Sequence, residues 1–356
     1  MDIEQWKAKV NGVYKGTIVS TGASFSSIKM PRFSTGSIDL DMALGGGWPF
    51  SRVVVVAGEY STGKTVIALK AAAEIENFDH VTKKHKDTLP ADAKFIKGRA
   101  LFVDVEGTLD LAWAKLLGFD DEWHFVCRPD TAEQAIDVVT SAIRDDLFDL
   151  IIIDSLAALT PSKEIEESSE DWQMGLAARL INKAMRIWNA SLVKLSQTGI
   201  AGGPLLMCLN QVRLKIGVVM GDPRTLPGGK GQTFCSSIII YTKSPEYIDV
   251  KEEELAEATL KGVIHKNKTY VPRVNYGFML GLKETSEVKK GKVQNTKSLF
   301  EHGKALGLIS KVKEGYLFDK TTYSTQKALL DVIEGSPLTR RKLWKSIIWC
   351  AFKQLV

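Results

Sequence analysis

Cysteine is scarce in this chain, with four residues in 356. Cys127, Cys208, Cys235 and Cys350 have none of the paired spacings that hold zinc or frame a small disulfide domain, so they are expected to be reduced and to serve packing. Long apolar runs are missing too. None approaches the roughly 18 residues of a membrane span, and the N-terminal MDIEQWKAKV has no signal-peptide core. No membrane contact is expected, and the expected location is the cytoplasm. A strong excess of one charge is also absent, the formal net charge being +5. Its distribution is uneven, however: residues 283–356 hold 15 Lys and Arg against 7 Asp and Glu. The basic part is C-terminal, where it can attract polyanions without specifying which, or simply be a solvated face. With 44% hydrophobic and 25% charged residues, the chain reads as folded, and its length allows one large core and a satellite domain.

What is present is an alternation of short β-branched strands and helices. RVVVVA precedes a helix from about residue 63, ALFVDV one near 109–117, EWHFVCR one near 131–145, and DLIIIDS a long one near 174–197. This order predicts an α/β fold with a mainly parallel sheet covered on both faces. After Phe234, SSIIIYT, GVIHKNKTY and YGFMLGL are expected as antiparallel strands extending one edge. The first thirty residues offer a short amphipathic helix, DIEQWKAKV, followed by a Ser/Gly-rich stretch. Residues 79–94 lack periodicity and read as a surface insertion. From about residue 290 a smaller, basic α+β unit follows, with helices near 298–306, 324–334 and 338–353. No internal repeat is evident.

The strongest chemical signal is GEYSTGKT, Gly58 to Thr65, a complete G-x-x-x-x-G-K-[ST] phosphate-binding loop between a strand and a helix. In such a loop Gly58, Glu59, Tyr60, Ser61, Thr62 and Gly63 turn backbone N–H groups onto phosphate oxygens. Lys64 reaches the outer phosphates, and the Thr65 hydroxyl faces a Mg²⁺ ion. DLIIIDS ends its strand in Asp154, a candidate carboxylate for that Mg²⁺, though a strand-end acid can also cap a helix that begins after it. ALFVDVEGTLD delivers Asp104 and Glu106 from a neighbouring strand end, the edge where open α/β sheets bind ligands. They share a face if the strand persists that far. Glu106 is the candidate base for an attacking water, against the plainer reading of a surface acid.

FSTGSIDLDMALGGGWPFSRVVVVAGEYSTGKT, LFVDVEGTLDLAWAKLLG, IIIDSLAALTPSKEIE, MGLAARLINKAMR, NQVRLKIGV and the Gly-Gly before Phe234 resemble, in order, successive motifs of the bacterial RecA recombinase family. The likeness covers roughly residues 31–285, and LFEHGKALGLISKVKEGYLFDK with ALLDVIEG resembles that family's small C-terminal domain, here 290–356. It implies a P-loop RecA-like core and an enzyme that uses ATP and Mg²⁺ to form a helical filament on single-stranded DNA. Pairing and strand exchange with double-stranded DNA would follow, in a bacterium or a phage-infected cell, with a possible single-strand-binding protein or loader as partner. By the same resemblance Glu106 is the catalytic glutamate, Lys64, Thr65 and Asp154 are phosphate and Mg²⁺ ligands, and Gln211 senses the γ-phosphate. Asp110 and Trp113 stand where the family recognises adenine; on the sequence alone Trp113 is equally a core aromatic.

Two DNA loops are implied, at about 162–175 and 212–233. The first would present Met174, and the helix behind it Arg179, Asn182 and Arg186, which with Lys183 form one polar stripe at helical spacing. Leu176, Leu180, Ala184, Trp188 and Leu195 can face the core. In the second loop Arg213 and Lys215 would meet phosphates, Ile216 would wedge between bases, Gly228 and Gly229 would offer N–H groups, and Lys230 is a further DNA-binding candidate. Lys266 and Lys268, two apart on a strand, match lysines that reach a neighbour's γ-phosphate, and Phe234 matches an interface residue. Residues 1–30 resemble the arm that joins adjacent protomers. The sequence departs from the pattern at 79–94, around 196–204, and at Leu226, Pro227 and Lys230 of the second loop. The acidic tail familiar in bacterial members is missing after KQLV, so ready uptake of duplex DNA is expected. A ring-forming RecA-fold helicase and a non-catalytic recombination mediator are the alternative readings; the intact Glu106 and lysine pair weigh against the mediator.

Overall fold

The computed structural model describes residues 1–13, 19–22, 30–166, 175–197, 202–214, 224–250, 254–285 and 288–353. Its strands are β1 (Arg32–Phe33), β2 (Trp48–Pro49), β3 (Val53–Gly58), β4 (Ala100–Asp104), β5 (Phe125–Cys127), β6 (Leu150–Asp154), β7 (Leu205–Gln211), β8 (Arg213–Leu214), β9 (Arg224–Thr225), β10 (Ile238–Val250), β11 (Glu254–Asn267) and β12 (Val274–Gly281). Three more, β13 (Ile309–Val312), β14 (Gly315–Phe318) and β15 (Thr321–Tyr323), lie in the C-terminal unit. The main sheet has eight strands in the order β12-β11-β10-β3-β7-β6-β4-β5. Because side chains alternate along a strand, β3 serves two cores at once. Val54 and Val56 pack with helix Lys64–Ile75 on one face, while Val53, Val55 and Ala57 meet helices Ala132–Arg144 and Leu176–Gln197 on the other. An all-apolar run such as VVVV is the form a strand covered on both faces requires.

One expectation needs correction. β10 is parallel to β3, and antiparallel pairing begins only between β10 and β11. The cause is the path of the chain. It leaves the C-terminal end of β7, returns through helix Gly231–Cys235, and re-enters where Ser237 N–H donates to the Val53 carbonyl at 2.8 Å. β10 therefore starts at the same edge as β3.

The insertion at 79–94 lies on the surface but is fastened to the core. Lys83, almost fully buried, donates to Asp149 Oδ1 at 2.5 Å, and the His80 ring meets the same carboxylate at 3.0 Å. The Asp79 carboxylate accepts from the N–H groups of Thr82 and Ile96. Farther along, Asp87 and the His85 ring contact Arg341 of the C-terminal unit.

That unit packs helices Thr296–Ala305, Gln326–Gly335 and Pro337–Phe352 against the small sheet β13-β14-β15. Its core also takes in Ile38, from the helix Ile38–Leu44 that precedes the phosphate loop. Asn295 ties the two by accepting from Ile38 N–H at 3.0 Å and donating to the Gly36 carbonyl at 2.9 Å. Trp344 Nε1 donates to Asp41 at 3.1 Å. Burial pushes the Asp41 carboxyl up to about 7, against hydrogen bonds from Thr35 and Ser34. A carboxyl whose folded pKa is raised favours folding below its unfolded pKa, and that contribution is lost as pH rises through the folded value. Thermal stability is thus expected to fall through this group between about pH 4 and 7, and Asp41→Asn should flatten the change of Tm between those limits. Equal slopes for the two proteins would remove Asp41 from the account.

The N-terminal helix Ile3–Val13 buries none of its residues and exposes Ile3, Trp6 and Val13. None of the helices among the described residues is long and apolar enough to cross a membrane.

Candidate functional site

The phosphate loop begins at Gly58, the last residue of β3, and runs into the first turn of helix Lys64–Ile75. Two glycines make it possible. A Cβ on Gly58 would collide with the Thr242 hydroxyl of β10, and Gly63 holds φ +83°, which side-chain-bearing residues rarely adopt. Thr62, buried, donates to the Glu59 carbonyl and shares a 2.6 Å hydrogen bond with Thr242, which fixes the loop to the sheet. Glu59, Tyr60 and Ser61 are exposed above it. Lys64 Nζ lies over the loop, 2.5 Å from the Glu59 carbonyl and 3.3 Å from that of Gly58, and burial lowers its pKa.

Thr65 Oγ1 donates to Asp154 Oδ2 at 2.8 Å, so the residues expected at a Mg²⁺ ion meet across the gap between β3 and β6. Burial pushes Asp154 up to about 6, with the Thr65 hydrogen bond opposing and Glu106 adding to the rise. A buried carboxylate beside a hydroxyl at the foot of a phosphate loop fits a hard divalent cation with oxygen ligands. Thr65 and Asp154 would hold it, and it would neutralise phosphate charge there.

Glu106 is exposed, and its Oε1 accepts from Ser155 Oγ at 2.5 Å. β4 stops at Asp104, and Val105 and Glu106 both turn their N–H groups to the Asp154 carbonyl. Asp104 and Glu106 are thereby separated and do not share the face that their spacing suggests. Asp104 goes below, buried, accepting from Thr108 N–H, Leu109 N–H and Arg128 Nε. It shapes the turn that presents Glu106. Asp110 caps helix Leu111–Leu117 through the N–H groups of Ala112 and Trp113, and Trp113 packs half-buried against the core.

The strand carrying Gln211 lies next to the phosphate loop. Gly58 and Gln211 are register partners, and Val212 N–H donates to the Gly58 carbonyl at 3.1 Å. Gln211 is exposed. The second loop leaves from there, with exposed Arg213 on β8 opposite Thr225 on β9. Lys215, Ile216 and Met174 fall outside the described residues. Gly228 and Gly229 sit against Ile181 and Asn182, and Lys230 is exposed. The departures Leu226 and Pro227 build the base of the loop. Leu226 packs half-buried on the core, and the Pro227 carbonyl accepts from Asn210 and Gln232.

On helix Leu176–Gln197, Arg179, Lys183 and Arg186 are exposed, whereas Asn182 accepts from Gly231 N–H at 2.6 Å and so braces the loop's return. Ala184 and Trp188 are buried as expected, joined by Ile181, Met185 and Leu192. Leu180 and Leu195 are half-buried against this core, and Leu176 is half-exposed. Lys266 ends near the close of β11 and Lys268 just beyond it, yet both ammonium groups reach helix Gly231–Cys235. Lys266 donates to the carbonyls of Thr233 (2.5 Å) and Ser236 (2.7 Å), and Lys268 to that of Phe234 (3.2 Å). Burial and the neighbouring Lys268 lower Lys266 to about 8. Phe234 is 70% exposed, which leaves its ring available to another molecule. Sequence reasoning missed the roles of Asn210, Gln232 and the Ser155 hydroxyl in this region. An Asn near the end of an apolar strand, a Gln in the short segment before Phe234 and a Ser after Asp154 were the available signals.

A phosphate loop on a mainly parallel sheet, with strand-end acids and a glutamine beside it, defines a P-loop α/β nucleotide-binding protein. The RecA N-terminal domain model matches residues 4–281. Protein RecA of Desulforapulum autotrophicum is 36% identical over 306 residues, 86% of this chain and 78% of that protein. Protein RecA of Leptospira biflexa is 38% identical over 259 residues, 72% of this chain and 60% of that protein. Protein RecA of Zymomonas mobilis is 36% identical over 298 residues, covering 81% and 77%. The chain belongs to the RecA family and is a recombinase of that type.

Proposed function

We propose that this chain is a DNA-dependent ATPase that forms helical filaments on single-stranded DNA, with Mg²⁺, and catalyses homologous pairing and strand exchange with a duplex. The observation that carries this is the register of β3 with β7, which sets Gln211 beside Gly58 at the point where the second loop begins. A group that meets the γ-phosphate and a segment that meets DNA are then consecutive in the chain. ATP orders the loop, and DNA positions the glutamine. Such coupling is reciprocal in binding free energy. Glu106 orients the attacking water, held by Ser155. Lys266 and Lys268 act on the nucleotide of the adjacent protomer, as an arginine finger does, and Phe234 and the N-terminal helix contact that neighbour.

ATP hydrolysis measured with and without single-stranded DNA across protein concentration tests the reading. Strong stimulation that rises cooperatively with protein is expected. DNA-independent turnover at constant specific activity would leave a P-loop ATPase of another purpose. On the DNA side, Arg213→Ala is expected to weaken single-strand binding for all sequences. It should also flatten the log–log salt dependence by about 0.7 for each phosphate no longer neutralised. An unaltered slope would place Arg213 away from the DNA.

A further inference from the structure

Gln232 is polar yet fully buried. Its Oε1 accepts from Asn210 Nδ2 at 2.6 Å, its Nε2 donates to the Pro227 carbonyl, and its own carbonyl accepts from Ser236 N–H and Oγ. Asn210 is equally buried, and its Oδ1 accepts from Gln211 N–H at 2.8 Å. On the other side of the same short helix, the carbonyls of Thr233, Phe234 and Ser236 take the ammonium groups of Lys266 and Lys268. Hydrogen bonds run from the Gln211 backbone through Asn210, Gln232 and Ser236 to Lys266, and the backbone of the same short helix extends the connection to Phe234 and to Lys268 on its carbonyl.

We infer that Gln232 is a positioning residue that holds helix Gly231–Cys235, and with it Phe234, Lys266 and Lys268, in step with the position of Gln211. An apolar side chain could fill this enclosed site between Gly228 and Asn210, so packing alone does not call for an amide. What the amide adds is a fixed register. Asn210 and Gln232 satisfy each other in a dry interior, where a broken hydrogen bond leaves a buried polar group unpaired. Movement of the strand end at Gln211 therefore carries Asn210 and Gln232 with it, and the helix follows. The inference rests on the proposed function, because it supplies the link between a nucleotide sensor and groups that face a neighbouring protomer.

A thermodynamic cycle tests it. The affinity for a fluorescent ATP analogue is measured with and without a single-stranded thymidine oligonucleotide, and the ratio of the two is the coupling factor. Gln232→Met keeps the length and removes the hydrogen bonds. It is expected to leave the DNA-free affinity near that of the wild type and to reduce the coupling factor by about tenfold, a typical allosteric magnitude. Gln232→Glu restores the acceptor for Asn210 but not the donor to Pro227, and should recover part of the coupling. A merely structural role would lower the melting temperature without a selective change in the ratio. A folded Gln232→Met with an unchanged ratio overturns the inference. If Gln232→Met does not fold, Gln232→Glu decides in the same way, a ratio below the wild type's supporting the inference and an equal one sinking it. A wild-type ratio of one would instead remove the coupling in the proposed function, and this inference with it.

Discussion

Glu106→Gln is expected to slow DNA-stimulated hydrolysis by about 10²- to 10⁴-fold, the usual range for losing a positioned general base. Binding of ATP and of single-stranded DNA should stay within a few-fold of the wild type. Geometry and charge give the reason. Glu106 is exposed, near enough to Lys64 and Asp154 to act on their charge, and its carboxylate accepts from the Ser155 hydroxyl at 2.5 Å. Glutamine keeps the size and can still accept from Ser155, but it cannot take a proton from water. The groups proposed to bind phosphate, Lys64 and the loop N–H donors, are untouched. Loss in turnover with binding retained marks an interaction made only in the transition state. Steady-state phosphate release together with nucleotide and DNA titrations checks this. Turnover within threefold of wild type would take the base role from Glu106.

The double substitution Lys266→Ala, Lys268→Ala is expected to abolish most DNA-stimulated turnover, by up to about 10³-fold if the pair acts as charge supplied in trans. In the structure both ammonium groups rest on carbonyls of helix Gly231–Cys235, beside the exposed Phe234 and far along the chain from Lys64. By register they lie toward the start of β3, whereas the phosphate loop begins at its other end, so their removal is expected to leave that loop in place. The decisive form of the test is complementation. A Lys64→Ala protein is expected to be inert, because its own site would lack the proposed phosphate lysine, yet it still carries the two lysines. Mixed with the double variant, it should restore activity wherever the two meet in the productive order, about a quarter of head-to-tail junctions in an equal random mixture. If the lysines serve their own protomer's nucleotide, the mixture stays as inactive as either component. The same experiment separates a shared site from simple loss of folding, since misfolded protein would not complement.

How much of this is legible in the sequence varies with the kind of signal. GEYSTGKT can be read directly because a phosphate loop is local: eight residues and one strand-to-helix turn specify it. The VVVV and LIII runs likewise announce strands covered on both faces. Asp104 and Glu106 mislead in one respect, since their spacing suggests a shared face. The strand stops at Asp104 because the next two N–H groups turn to the Asp154 carbonyl on β6, a partner about fifty positions away. The 79–94 segment looks like a loose insertion because its composition is polar. Burial of Lys83 against Asp149 cannot be seen without knowing that the start of β6 lies beneath it. Asn182 reads as part of a polar stripe, and only the return of the second loop turns it inward to Gly231.

By itself the sequence determined the nucleotide loop, the alternation that makes a mainly parallel sheet, the basic C-terminal unit and the order of motifs that marks the family. These depend on residue type at short range, where backbone geometry and side-chain period leave few choices. The tertiary structure alone decided the parallel entry of β10, the separation of Asp104 from Glu106, the docking of the C-terminal unit on Ile38 and Asp41, and the buried Asn210–Gln232 pair. Each of these joins groups distant in sequence or sets the direction of a returning chain. Such arrangements depend on how the sheet is ordered, which short-range propensities do not encode.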